Sequence, residues 1–161
     1  MKLWDFALDY YRRAGVAPAC LILQDVGGVD VNVLIYLLWR AAARGEAVPD
    51  TAAAEADAVV AAWREEIVEP LRSLRRRLKS GPPPAPCSAS EALRGRIKAA
   101  EIEAEHIELD MLEGLVDAVT ISPVTDRQAE ARRILDRLVA HYGADRSTEL
   151  QQPIEALLRA L

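Results

Sequence analysis

Two runs of apolar residues at helical spacing constrain the fold of this chain more than any other feature of its sequence. In the first run, an apolar side chain recurs every three or four residues between positions 53 and 78. Its members are Ala53, Ala56, Val60, Trp63, Ile67, Leu71, Leu74 and Leu78. Residues at this spacing share one face of an α-helix, so the run predicts a single helix over about residues 51–79. The phase continues across Pro70, where we expect a kink and not a break.

A proline-rich linker at residues 81–87 separates this helix from the second run. Beyond the linker, Ser88 and Glu91 have the spacing of a capping box, which predicts a helix over about residues 89–119. The apolar face of this helix is expected to contain Leu93, Ile97, Ala100, Ala104, Ile107, Met111 and Leu115. Two long helices joined by a short linker favour an antiparallel pair, so we predict a long antiparallel helical hairpin.

Shorter helices are predicted on both sides of the hairpin. Asp30 is a suitable N-cap for a helix that extends through Arg44 and ends at Gly45. This helix is apolar on nearly every side, which is typical of a helix at the centre of a bundle. Residues 122–161 are predicted to form a C-terminal helical pair.

The composition favours one all-helical domain. The chain has 161 residues, a length typical of a single domain. Alanine and leucine, which favour helices, account for 28 and 20 residues, whereas phenylalanine occurs once. We therefore predict an all-α fold, a single-domain helical bundle of five to seven helices over residues 1–161.

The charged residues of the two long helices form two opposed blocks. The basic block consists of Arg72, Arg75, Arg76, Arg77 and Lys79. The acidic block consists of Glu101, Glu103, Glu105, Glu108, Asp110, Glu113 and Asp117. In a hairpin the two blocks come close, so we expect intramolecular ion pairs, with the basic block also a candidate interaction surface for an acidic protein partner or RNA. The net charge of −5 disfavours nucleic-acid binding.

One flank of the second helix carries candidate metal ligands. Glu103, His106 and Asp110 contain a single Glu-x-x-His step, the element that di-iron helical bundles use twice. Metal binding requires such ligands to converge from several helices, and the other histidine, His141, completes no second step. The acids flank the predicted apolar face, so we expect a solvated or ion-paired surface and no metal or other cofactor.

A polar corner interrupts the apolar N-terminal helices. Gln24, Asp25, Asp30 and Asn32 surround a Gly-Gly pair at residues 27–28. The spacing matches neither a calcium-binding loop nor a glycine-rich phosphate-binding loop. A tight helix–helix corner, in which Asp30 caps a helix and the glycines adopt positive φ, explains these residues. A ligand-binding polar pocket is the alternative.

Other features of the sequence limit the functions and the cellular locations that the chain is expected to have. No Ser/His/Asp or Cys/His catalytic set is recognisable. Cys20 lies in an apolar segment and is expected to be buried, whereas Cys87 follows the prolines, so no disulfide is predicted. The N-terminus lacks the apolar run of a secretion signal, and the apolar stretch at residues 33–39 is far shorter than the ~20 residues of a membrane span. We expect a soluble, cytoplasmic protein that binds no membrane.

Four segments of the chain resemble a known family. They are Leu-Trp-Asp-Phe-Ala at 3–7, Ala-Cys-Leu-Ile-Leu-Gln-Asp at 19–25, Asp-Val-Asn-Val-Leu-Ile-Tyr-Leu-Leu-Trp at 30–39 and Trp-Arg-Glu-Glu-Ile-Val-Glu-Pro-Leu-Arg at 63–72. In this order they resemble a family of short bacterial helical proteins of unknown function, over about residues 3–117. The resemblance implies a soluble bacterial helical protein and supplies no catalytic or binding residues.

Together these observations favour a non-enzymatic protein-interaction or adaptor module. Its partner is an unknown protein, and a homo-oligomer is an open alternative. The other hypothesis is a helical bundle that binds a small ligand or a metal, with or without enzymatic activity. Its candidate residues are the polar corner and the Glu103, His106 and Asp110 set.

Overall fold

Helices make up the regular structure of the computed structural model, which describes residues 1–85, 87–116, 123–144 and 148–161. In chain order they are α1 (Leu3–Tyr11), α2 (Val16–Gly27), α3 (Val31–Leu38, continued by the π-helical Trp39–Ala43), α4 (Ala52–Trp63, π-helical Arg64–Val68 and Glu69–Arg77), α5 (Cys87–Gly114), α6 (Arg127–His141) and α7 (Thr148–Arg159). The described residues contain no strand, only an isolated bridge between Glu46 and Pro123. The predicted all-α fold with five to seven helices is confirmed. The predicted end of the 89–119 helix lies outside the described residues.

Local interactions fix the start and the end of the central helix α3. One carboxylate oxygen of Asp30, Oδ1, accepts hydrogen bonds from the backbone N–H groups of Asn32 and Val33, at 2.7 and 3.0 Å. Gly45, with φ of +68°, follows the helix in the left-handed conformation that glycine adopts without strain. Residues 32–41 are all buried. The predicted N-cap and the predicted central position of this helix are therefore confirmed.

Helix α4 is continuous through Pro70, as predicted, but its apolar register changes along its length. The predicted face is buried as far as Val60. At the end of the π-helical segment Arg64–Val68, the buried residue is Val68 (1% exposed), whereas the expected core residue Ile67 is 36% exposed. A π-helical turn contains one residue more than an α-helical turn, so it moves the following residues by one position around the axis.

The structure does not confirm the predicted long hairpin. Trp63 and Arg72 are separated by more than two turns of α4, roughly 13 Å along a helix axis. The indole Nε1 of Trp63 donates to the carbonyl oxygen of Ala104 at 2.9 Å, and Arg72 donates to Glu101 and Glu105. These three acceptors lie within about one turn of α5. All three segments of α4 contact α5, but the described contacts do not establish an antiparallel pair along the full length of the two helices.

All seven helices contribute to one hydrophobic core. Cys20 lies in this core with its side chain fully buried, and burial raises the pKa of its thiol to about 12. Cys87 is exposed at the start of α5. Among the described residues, no helix has the length and apolar character needed to span a bilayer.

Candidate functional site

A polar cleft of about 800 Å³ opens at the corner between α2 and α3. All four residues of the predicted polar corner, Gln24, Asp25, Asp30 and Asn32, line it. The second half of α4 contributes the opposite wall. Glu108 of α5 also lines the cleft and is fully buried, so it lies at the floor. We call this feature the polar cleft.

Asp30 connects the start of α3 to the α4 wall of the cleft. Its Oδ1 atom caps α3, and its Oδ2 atom accepts a hydrogen bond from Nη1 of Arg64 at 2.9 Å. The Asp30 side chain is only 6% exposed and the Arg64 side chain 16% exposed. The carboxylate of Asp30 therefore caps the N-terminus of α3 and also balances the positive charge of Arg64 on α4.

Glu108 is the most unusual side chain of the cleft because it is buried without a charged partner of its own. Its Oε2 atom accepts a hydrogen bond from Nδ2 of Asn32 at 3.0 Å, whereas its Oε1 atom has no hydrogen-bond donor among the described residues. Burial, and then the charge of nearby Asp30, raise the pKa of Glu108 to about 8. At neutral pH the side chain is mostly the neutral acid, whose O–H group can donate to Asp30.

A second network joins the cleft to the end of α6. Asp57 accepts hydrogen bonds from Nη1 of Arg64 at 2.6 Å and from the hydroxyl of Tyr142 at 2.8 Å, and its other oxygen lies 3.2 Å from Nε2 of His141. Burial alone would raise the pKa of Asp57, but the hydrogen bonds from these three residues lower it. Burial would lower the pKa of Arg64, and its hydrogen bonds to two carboxylates raise it. Both groups are therefore ionised at neutral pH.

The basic and acidic blocks form the ion pairs that the sequence predicts. Nε and Nη2 of Arg72 donate to Glu101 and Glu105, at 3.1 and 2.6 Å, and Arg75 donates to both oxygens of Glu101. Burial alone would raise the pKa of Glu101, and the hydrogen bonds from the two arginines lower it. Two members of the candidate interaction surface, Arg72 and Arg75, are thus used within the chain.

The rest of the basic block is exposed. Arg76 pairs with Asp25 of the polar corner at 3.2 Å, and both side chains are more than half exposed. Arg77 and Lys79 are exposed as well. Arg76 and Arg77 lie at the rim of the polar cleft, whereas Lys79 does not line it.

The expectation that the acids of α5 all flank its buried face is wrong. The buried residues of α5 include Glu101 and Glu108, which are 4% and 0% exposed, together with Ala104 between them. Ile107, which was expected in the core, is 43% exposed. The buried face is rotated by about one residue from the apolar run, because α4 supplies arginine partners and α3 supplies an amide to the acids on that side.

The three candidate metal ligands do not converge. Glu103 and Asp110 are exposed, and Nε2 of His106 lies 3.9 Å from Oδ1 of Asp110. The His106 ring instead stacks on Trp4, with ring centroids 3.9 Å apart and an angle of 14° between the planes. In the part of the chain that the structure describes, no group of three or more His, Cys, Asp or Glu side chains is placed to hold a metal ion.

Several residues of the cleft were not predicted from the sequence, and Arg64, Glu108 and Tyr142 are the ones that its polar networks use. Glu108 does carry a signal, because it is two helical turns from Glu101 and shares a face with it. The sequence contains no comparable signal for Arg64 or Tyr142, whose positions depend on how α4 and α6 pack.

Comparison with known proteins places the chain in a family. Residues 2–112 match a family model described as "Protein of unknown function (DUF2390)". The chain belongs to this family. The part that matches DUF2390 contains Asp30, Asn32, Arg64 and Glu108, while Tyr142 lies beyond it. No curated protein and no solved structure matches the chain.

Proposed function

We propose that this protein binds a small polar molecule in the polar cleft. The observation that supports the proposal is the fully buried carboxyl group of Glu108, whose Oε1 atom has no hydrogen-bond donor among the described residues. Buried polar atoms are nearly always hydrogen-bonded, so such an atom at the floor of a cleft is a natural position for a ligand donor. The volume of about 800 Å³ is within the range of small-molecule sites.

A thermal-shift screen of polar metabolites tests the proposal, with two variants as comparison. Glu108→Gln removes the unpartnered carboxylate oxygen at nearly constant volume. Glu103→Gln is the matched control, because it makes the same change at an exposed position of the same helix. At about 100 times its Kd, a ligand stabilises the folded state by about 3 kcal/mol. For a chain of this size, that stabilisation raises the melting temperature by roughly 5–10 °C.

We expect a compound that stabilises the wild type and Glu103→Gln equally and Glu108→Gln much less. A compound that stabilises all three proteins equally binds elsewhere and contradicts the proposal. A broad screen in which no polar compound raises the melting temperature of the wild type also contradicts it.

A protein-interaction role is the second candidate function. Three apolar side chains on α2 favour it, since Leu21, Ile22 and Val26 are 48, 40 and 55% exposed. The basic block supports it less, because Arg72 and Arg75 already pair within the chain. A second copy of the chain is the partner that can be tested directly. Light scattering should then show a dimer that Ile22→Ser with Val26→Ser dissociates, and a monomeric wild type would contradict this role.

A further inference from the structure

We infer that the ligand of the polar cleft carries a protonated amine that donates hydrogen bonds to the unpartnered oxygen of Glu108. The inference rests on the proposed function and adds the chemical class of the ligand. A carboxylate oxygen accepts hydrogen bonds and cannot donate them, so an unpartnered one requires a donor. A positively charged donor forms the stronger bond with it.

The charges at the floor of the cleft favour a cation. Asp30 and Asp57 both accept from the same nitrogen, Nη1 of Arg64. Glu108 adds a third carboxyl group to this single guanidinium when it ionises. A protonated amine at Oε1 of Glu108 compensates that added negative charge, whereas an anionic ligand would increase the repulsion.

The arginines of the cleft do not make it an anion site. The lining contains four arginines and five carboxyl groups, which are Arg64, Arg72, Arg76, Arg77, Asp25, Asp30, Glu65, Glu69 and Glu108. Arg72 is already compensated by Glu101 and Glu105, which lie outside the lining. The cleft therefore has no excess of positive charge available to an anion.

An organic amine fits the arrangement better than a metal ion. A metal ion needs several converging ligands, and no group of three or more acidic, histidine or cysteine side chains is placed to hold one among the described residues. An ammonium group instead carries several N–H donors on one nitrogen. It can be bound by one or two carboxylate oxygens without a closed coordination shell.

In the free protein, a proton on Glu108 takes the place of the ligand. The neutral acid donates that proton to Asp30. When the amine binds, Glu108 releases the proton to solvent, and an N–H group of the ammonium becomes the donor that Oε1 lacks. The charged groups that act on Glu108 are Asp30, at the start of α3, and Arg64 of α4. Tyr142, which directly follows α6, also lines the cleft. Because only the ionised carboxylate accepts the amine, binding should release a proton and tighten as the pH rises toward 8.

Three probes of matched length and different charge test the inference. They are 1,4-diaminobutane, 4-aminobutanoate and butanedioate, and each is titrated calorimetrically into the whole chain. We expect 1,4-diaminobutane to bind most tightly and butanedioate not to bind. The apparent Kd of 1,4-diaminobutane should weaken from pH 7 to pH 6, and measurements in two amine-free buffers should show that binding at pH 7 releases a proton.

The variants separate this inference from the proposed function. Glu108→Gln should weaken diamine binding by at least about tenfold and abolish its pH dependence, whereas Glu103→Gln should bind like the wild type. The amine inference is overturned if butanedioate binds most tightly, or if none of the three probes binds at 10 mM. In either case the screen of other polar compounds still tests the proposed function. Diamine binding that is unchanged in Glu108→Gln overturns it as well.

Discussion

Replacing Glu108 by glutamine should change the way in which the stability of the protein depends on pH. The pKa of Glu108 is raised from an ordinary value of 4.5 to about 8. Between these values the folded protein keeps a proton that the unfolded chain has released, so the free energy of unfolding decreases as the pH rises. The decrease is at most about 1.4 kcal/mol per pH unit and amounts to about 2 kcal/mol between pH 6 and pH 8.

Glutamine imitates the protonated acid at every pH, so the variant should lack this decrease. Urea unfolding followed by circular dichroism at pH 6, 7 and 8 measures it, and the difference in unfolding free energy between variant and wild type should shift by about 2 kcal/mol in favour of the variant. The free energy of unfolding of Glu103→Gln should change with pH in the same way as that of the wild type. A difference between Glu108→Gln and wild type that does not change over this range would show that Glu108 is ionised throughout and would contradict its raised pKa.

The remaining predictions concern the register of α4, the thiols and the N-cap of α3. Val68→Ala should cost about 2 kcal/mol and Ile67→Ala less than about 1 kcal/mol in urea unfolding, because the π-helical turn buries Val68 instead of its neighbour. A thiol reagent should modify Cys87 rapidly in the native protein and Cys20 only after unfolding, and rapid labelling of both would contradict the described core. Asp30→Ala should destabilise the protein by at least about 2 kcal/mol, since it removes a helix cap and one of the two carboxylate partners of the partly buried Arg64; a loss below about 0.5 kcal/mol would be inconsistent with both contacts.

The ends of α3 could be predicted because they depend on local interactions. Asp30 bonds to backbone groups two and three residues away, and Gly45 adopts its conformation within a single turn. The apolar register beyond Trp63 could not be predicted in the same way. A π-helical turn has no strong sequence signature, although the nearby Pro70, which has no N–H group, is consistent with a local change in hydrogen bonding.

For a similar reason, only part of the site could be predicted from the sequence. The polar corner stands out because Asp30 and Asn32 interrupt apolar helices. Their partners come from distant parts of the chain, since Arg64 is 34 residues from Asp30 and Glu108 is 76 residues from Asn32. A pattern of one helix cannot show which of its flanks another helix covers, so the acids of α5 were expected at the surface.

The most direct test of the account follows the side-chain carboxyl carbon of Glu108 by ¹³C NMR at pH 7 while 1,4-diaminobutane is added. The signal is assigned by its loss in Glu108→Gln. We expect a chemical shift typical of the protonated acid in the free protein, which moves to the value of an ionised carboxylate as the diamine saturates the cleft. A carboxyl signal that already has the ionised value, or one that stays unchanged at saturation, would contradict this expectation.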